Sequence, residues 1–382
     1  MPTTRKHLLA AAVASGVLAA SLSAPAEAAP APGFQQRLDE LRDAGIIGVQ
    51  GRVVTETGRR WTAASGAGDL GSGRPVPRDG RYRIGSNTKT FVATVVLQLV
   101  GEGRLSLDDS VERWLPGVVR GNGHDGRRVT VRQLLQHTSG LRDYLEVMPG
   151  TWDEIRFRHF EPEELVALAL KHPPQFAPGT DWSYSNTGYA LAGMIIKRVT
   201  GRAWGAEVER RIIRPLGLRG TSVPVRDPRV PWPSARSYHQ WELGGAPSDV
   251  TEYSPSQYGA AGAMISTTAD LSAFFRALLG GRLIAPRLLA EMKRTRALDQ
   301  GVNLGYGLGI YRKRLSCGRE YWAHGGLTMG YISAEGFTAD GSRGVALSIS
   351  GATARTPQDR ERLPKMVDKV VDDALCGRTA TP

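Results

Sequence analysis

The chain has 382 residues, 49 Lys and Arg against 37 Asp and Glu, a net charge of +12, and two cysteines. The surplus is scattered arginine rather than a basic block. It argues against a nucleic-acid partner and reads as a solvated surface suited to an anionic cell wall. The length is ample for a buried core in one large domain or two.

The first residues read as an export leader. Arg5, Lys6 and His7 precede an apolar stretch from Leu8 to Leu22, and Ala26-Glu27-Ala28 offers small residues for cleavage near Ala28. That run is shorter than the roughly 20 residues of a spanning helix, so no membrane anchor is expected. The protein is expected outside the cytoplasm, secreted or wall-associated. In such an oxidising compartment Cys317 and Cys376 predict a disulfide rather than a metal site.

Gly33 to Ile46 has the spacing of an amphipathic helix, and Ile47–Thr55 and Trp61–Gly68 read as paired strands about a turn at Glu56-Thr57-Gly58. After a Gly/Pro-rich loop, "RIGSNTKTFVATVVLQLV" (83–100) leads into a segment apolar almost all round, which predicts a helix buried in the centre of the molecule. Helices are expected to dominate from there to about residue 290. Thr130 is a candidate N-cap, "EPEELVALALKH" has acids at its start, and "GYALAGMIIKRVTG" and "TTADLSAFFRALLGG" close on glycine. Beyond 300 the pattern turns to strands in "LGYGLGIYRKR", "EYWAHGG", "YISAEGFT" and "GVALSIS", and a last helix covers Pro357–Leu375. Helix and strands at both ends with helices between suggest one sheet built from both chain ends.

Ser86 and Lys89 stand three apart where the buried helix should begin, and residues so spaced share a helix face. A lysine held in a water-poor cleft loses affinity for its proton, as a base needs, although a serine N-cap with an incidental lysine fits the tetrapeptide equally well. "DWSYSNTGYALAG" carries Tyr184 and Asn186 just before a helix, where polar residues can be simple turn formers. "YWAHGGLTMGY" ends a strand on His324-Gly325-Gly326, which allows close backbone approach or marks a bulge. "GNGHDG" (121–126) follows a proline-bearing loop and reads as a flexible turn rather than a dinucleotide loop. No G-x-S-x-G elbow and no H-E-x-x-H occurs, and neither a metal nor another cofactor is expected.

Taken together and in this order, serine-x-x-lysine, tyrosine-x-asparagine and histidine-x-glycine resemble the active-site motifs of the penicillin-recognising serine hydrolases. "TVRQLLQHTSGLRDY", "FAPGTDWSYSNTGYALAGMIIKRVTG", "GAMISTTADLSAFFRALL", "GYGLGI" and "LSCG" extend the likeness to secreted D-alanyl-D-alanine carboxypeptidases, from about residue 34 to Cys376. The resemblance implies an α/β (α+β) fold of β-lactamase/transpeptidase type, an antiparallel sheet flanked by helices with a mostly helical subdomain inserted. A signal peptide over 1–28 would precede a single catalytic domain over 29–382, with the sheet from about 29–85 and 290–382 and helices over about 86–289. It also implies roles. Ser86 would be the acylated nucleophile, Lys89 its base, Tyr184 a proton shuttle working as a phenolate, and Asn186 a partner of the acyl-side amide. His324 would take the place of a β-lactamase lysine, and the backbone N–H groups of Ser86 and Leu327, beside Gly326, would form the oxyanion hole.

The likeness breaks at the carboxylate clamp. Where the resembling carboxypeptidases use two threonines and an arginine, this chain has Gly325, Leu327 and Tyr311, and Arg312 next door should face away. The expected activity is therefore a D-alanyl-D-alanine carboxypeptidase first. An esterase, D-aminopeptidase or amidase of the same family is the alternative, and a penicillin- or peptidoglycan-binding module without turnover is a further one. The expected substrate is a D-amino-acid peptide, amide or ester, and the expected state a monomer.

Overall fold

The computed structural model describes residues 32–298 and 304–378; the leader-like segment 1–28 lies outside the described residues. Nine strands form one antiparallel sheet. β1 (Gly48–Val54) and β2 (Arg60–Gly66) come from the start of the chain. β3 (Arg296–Ala297), β4 (Gly305–Tyr306), β5 (Tyr311–Arg314), β6 (Glu320–Ala323), β7 (Gly326–Leu327), β8 (Ile332–Phe337) and β9 (Gly344–Ile349) come from its end. Their spatial order is β2-β1-β9-β8-β6-β5-β4-β3, with β7 paired to β8 beyond the end of β6. The first strand of the chain thus pairs with the last, Val49 opposite Ile349, which joins both chain ends in one sheet.

Helices cover both faces. α1 (Pro32–Asp43) and the C-terminal helix (Pro357–Leu375) pack on one face, where Phe34, Leu38 and Leu41 meet Val367, Val371 and Leu375 over Val345 and Leu347. On the other lies α2 (Asn87–Gly101), whose apolar residues from Phe91 to Leu99 are buried on every side; Phe91 stacks on Phe274 with ring centroids 3.6 Å apart. Around α2 stand α3 (Val131–Leu135), α4 (Pro162–Leu170), α5 (Asn186–Thr200) and α6 (Thr268–Leu279); the C-terminal helix is α7. Thr130 caps α3 in a capping box with Gln133, as its sequence suggests. α5 ends on Gly201 in the left-handed region, which satisfies its last carbonyls. Among the described residues no helix is long and apolar enough to cross a membrane.

Four stretches differ from their sequence reading. α1 stops at Asp43, and the chain straightens until Ile46 pairs with Ala352 at the sheet margin. "LGYGLGIYRKR" is not one strand but two, β4 and β5, folded back so that Tyr306 faces Tyr311; a turn closed by Gly307 N–H to Ile310 C=O at 2.8 Å separates them. The "GNGHDG" stretch, expected as a flexible turn, is the tip of a small hairpin in which Arg120–Gly121 pairs with His124–Asp125. Helices do not dominate as far as 290. From Gly217 to Ser254 the chain has no α-helix, because Pro224, Pro228, Pro231, Pro233 and Pro247 remove donors and fix φ too often for one to propagate.

Cys317, in the turn between β5 and β6, forms a disulfide with Cys376 at the end of α7. It pins the last helix to the strand pair that forms one wall of the cleft described next.

Candidate active site

Ser86 sits at the start of α2, but its side chain makes no capping bond. The hydroxyl instead turns into a cleft, 3.0 Å from Lys89 Nζ and 2.7 Å from Tyr184 Oη. The simple N-cap account of Ser86 therefore fails, because the oxygen that would cap the helix is engaged by the lysine and the phenol.

Lys89 is wholly buried one turn along α2. Its nitrogen lies 2.7 Å from Asn186 Oδ1 and 2.7 Å from the Ala261 carbonyl. Burial pulls its pKa down from the ordinary lysine value to about 7, against the opposing attraction of the Asp143 carboxylate. A neutral amine has two N–H groups, which these two acceptors satisfy. Its lone pair is left facing Ser86, whose hydroxyl then donates to it, and this is the geometry of a base beside a nucleophile.

Tyr184 and Asn186 come from the loop entering α5 and its first residue. Tyr184 differs from expectation. Burial pushes its pKa above the ordinary phenol value, only partly offset by the bond to Ser86, and the Lys89 ammonium position lies over the ring face at 4.8 Å. Among the described residues no cation pairs with its oxygen to hold a phenolate, so the resting group is a phenol that donates to Ser86 Oγ. Asn186 is also more committed than expected. Its Oδ1 accepts from Lys89, and its Nδ2 donates to Asp143 Oδ2 at 2.7 Å, leaving one N–H for a substrate.

His324 follows β6, where the chain leaves the ladder before resuming as β7. It is buried and uncharged, its pKa held down to about 3 by burial first and by the charge of Lys89 second. At this position the cleft therefore has a neutral imidazole rather than a cation. Leu327 turns its side chain outward, 68% exposed, while its backbone lies against the start of α2. Gly85 makes that approach possible. Its φ is +51°, and a Cβ there would lie 2.9 Å from Leu327 N. Gly326 has the same function across the gap, since a Cβ on it would come to 2.0 Å from the Ile84 carbonyl oxygen. Two glycines without side chains between them thus let the backbone at 326–327 pack closely on the backbone at 84–85, at the entry to α2.

Three participants escaped the sequence reading. Asp143, buried ahead of a short 3-10 turn, orients Asn186. His137 and Tyr306 lie behind Tyr184 and His324, with the His137 ring centroid 4.2 Å from that of Tyr184. Each is far from its partner in sequence, so no local spacing marks it. Among the described residues no His, Cys, Asp or Glu cluster could hold a metal ion.

The cleft holds about 550 Å³ and is walled by Trp182, Tyr306, Tyr311, Leu304 and Leu327 around Ser86. Arg312 pairs with Glu320 at 3.0 Å away from it, as alternation along β5 requires. Lys313, two residues on from Tyr311 and so on the same face of β5, does reach the cleft wall, but its ammonium is bound to Asp368 of α7 at 2.7 Å.

A family model described as Beta-lactamase matches residues 34–366, and the chain belongs to that family of serine hydrolases. Its fold is similar to that of a D-stereospecific amidohydrolase from Streptomyces sp., at a TM-score of 0.81 and 44% identity over 90% of this chain and 98% of that one. Esterase EstB of Burkholderia gladioli is 32% identical over 76% of this chain and 79% of its own length. Penicillin-binding protein 4 of Amycolatopsis lactamdurans is 30% identical over 82% of this chain and 80% of its own.

Proposed function

We propose that the protein forms an acyl-enzyme on Ser86 and acts on amides or esters of D-amino acids that carry no free carboxylate next to the scissile bond. Lys89 takes the Ser86 proton as Oγ bonds to the substrate carbonyl. Tyr184 gives its own proton to the departing amine or alcohol. The resulting ammonium and phenolate cancel when Lys89 returns a proton to Tyr184, and water then repeats the sequence to release the acid. The N–H groups of Ser86 and Leu327 receive the oxyanion, each contributing about 3–4 kcal/mol in the transition state.

The observation that carries the choice of substrate is the wall that would face a terminal carboxylate. It presents Tyr311, Gly325 and Leu327, with Arg312 and Lys313 each bound to a carboxylate of the protein itself. A substrate carboxylate would meet apolar surface and a neutral imidazole. The likeness to a D-stereospecific amidohydrolase and to an esterase supports the same order of readings, and the carboxypeptidase becomes the second. It keeps one observation in its favour, Lys313, which could exchange Asp368 for a substrate carboxylate.

The test is a panel of D-alanine amide, a short-chain p-nitrophenyl ester and a diacyl-D-Ala-D-Ala tripeptide, each with the parent protein and Ser86→Ala. The proposal expects hydrolysis of the amide and ester well above that of the tripeptide, all lost in Ser86→Ala. A preference for the tripeptide would restore the carboxypeptidase, and activity surviving in Ser86→Ala would end the assignment. Stable labelling by a fluorescent penicillin without turnover of any substrate would mark a binding module. We further propose that residues 29–382 act as one exported, monomeric catalytic domain after loss of 1–28, as the disulfide favours; the mass and N-terminus of protein recovered from culture medium, and its sedimentation, test this.

A further inference from the structure

Behind the cleft a single line of hydrogen bonds crosses the molecule from α5 to the β6–β7 break. The Ser185 backbone N–H, between Tyr184 and Asn186, donates to His137 Nδ1 at 3.1 Å. With that nitrogen accepting, the His137 proton must sit on Nε2, which lies 3.1 Å from Tyr306 Oη. At the far end of the line the Gly325 carbonyl, which can only accept, lies 2.7 Å from His324 Nδ1, so the proton of the neutral His324 ring belongs on Nδ1. His324 Nε2 is then an acceptor, and Tyr306 Oη, 2.8 Å away, donates to it.

Every bond in the line runs the same way, and each ring nitrogen has only one protonation state that fits. Both ends of the His324 ring are buried, Nε2 against Tyr306 and Nδ1 against the carbonyl of Gly325, a residue of the cleft wall. The line also has a structural cost. His137 holds φ at +61°, in the left-handed region, a conformation that a surrounding structure must over-determine.

We propose that Tyr306 and His137 are positioning residues that fix His324 as a neutral imidazole whose Nδ1 proton is held on the Gly325 carbonyl, so that this ring orients the Gly325 wall of the cleft without bringing a charge to it. The kinetic side of this inference rests on the acyl-enzyme reading above; the tautomer itself does not. A second proton on His137 would face the Ser185 N–H, donor against donor. A second proton on His324 would turn Nε2 into a donor and force the Tyr306 hydroxyl proton away from it toward Tyr189. The line thereby leaves Lys89 as the group that changes charge in the catalytic cluster near neutral pH.

Nitrogen-15 spectra of histidine-labelled protein at pH 7, with the His324 signals assigned by their loss in His324→Gln, measure the tautomer directly. The expected result is His324 with its proton on Nδ1 and His137 with its proton on Nε2. Finding His324 as the Nε2–H form or as an imidazolium would overturn the proposal whether or not Ser86 is the nucleophile. In Tyr306→Phe the fixed donor to Nε2 is lost. His324 should then populate both tautomers and lose its fixed hold on the Gly325 carbonyl, and KM for the ester should rise about tenfold with a smaller change in kcat, in keeping with the ~1–2 kcal/mol of one lost hydrogen bond. An unchanged His324 spectrum in folded Tyr306→Phe would also overturn it. If that variant does not fold, the spectrum of the parent protein still decides.

Discussion

At the scale of single residues the decisive quantity is the state of one amine. Lys89 gains its reactivity from burial, and the depressed pKa fixes the sign of the pH dependence. Below about 7 the amine is charged and its lone pair is taken; above it the amine can accept the Ser86 proton. The ratio kcat/KM on an uncharged ester should therefore rise with pH through an apparent pKa near 7 and then level off, as a pH-rate profile will record. Asp143 pulls in the opposite direction by favouring the ammonium form. Asp143→Asn should move that rising limb to lower pH, and should also lower kcat because Asn186 loses the acceptor that orients it. An unmoved limb in the folded variant would count against electrostatic coupling between the two groups. Tyr184 titrates above its ordinary range, so no falling limb from it is expected near neutrality.

At the scale of elements the site depends on how α2 is docked against β7 and β8. Gly85 sets the distance between the start of α2 and the Leu327 backbone. Gly85→Ala forces a Cβ into that gap at a positive φ and should cut kcat by roughly 10²-fold, the scale of losing one oxyanion donor, while far-ultraviolet circular dichroism stays unchanged. Behind the gap, Asn87 donates to Ser333 Oγ at 2.7 Å and to Glu335 Oε1 at 2.8 Å, tying the first turn of α2 to β8. Glu335 is wholly buried, and burial drives its carboxyl well above the usual range, which favours the neutral acid. A glutamine should replace it with little effect. Glu335→Gln is expected to cost less than about 1 kcal/mol in urea unfolding and Glu335→Ala about 2–3 kcal/mol, since the alanine leaves a cavity and takes one acceptor from the Asn87 amide.

At the scale of the whole molecule the sheet is closed by elements far apart in the chain. β1 pairs with β9, α1 packs on α7, and the Cys317–Cys376 bridge fastens α7 to the turn between β5 and β6. The bridge spans 59 residues, and in the chain-entropy model a loop of that length stabilises by about 4 kcal/mol. Replacing both cysteines by serine should lower the unfolding free energy by up to that amount, read from denaturant midpoints at constant slope. Neither cysteine lines the cleft, so ester kinetics at 25 °C should not change. Restoring a clamp is a second test at this scale. A Cβ at Gly325 would meet nothing nearer than the Ser333 carbonyl oxygen at 3.6 Å, so there is room for a side chain there. Combining Gly325→Thr and Leu327→Thr with Tyr311→Arg should raise activity on the carboxylate-bearing tripeptide. Unchanged tripeptide kinetics in the folded triple variant would argue against the clamp account.

The sequence alone determined the features that depend on neighbours along the chain. The buried α2 was legible because its residues are apolar on every side, the cap of α3 because Thr130 is a good N-cap residue just before the helical run, and the Ser86–Lys89 pair because one helical turn aligns them. Order and spacing also made the three motifs legible, although nothing local linked them to one another. Tertiary structure alone decided what brings Tyr184 to Ser86, 98 positions away, and Asp143 to Asn186, 43 away. It also decided how one strand-like run folds back to set Tyr306 opposite Tyr311, and which carboxylate binds Lys313. The physical reason is that burial and hydrogen-bond direction are properties of an assembled interior. They determine whether Tyr184 keeps its proton and which nitrogen of His324 holds one, and neither is encoded in the spacing of residues along a chain.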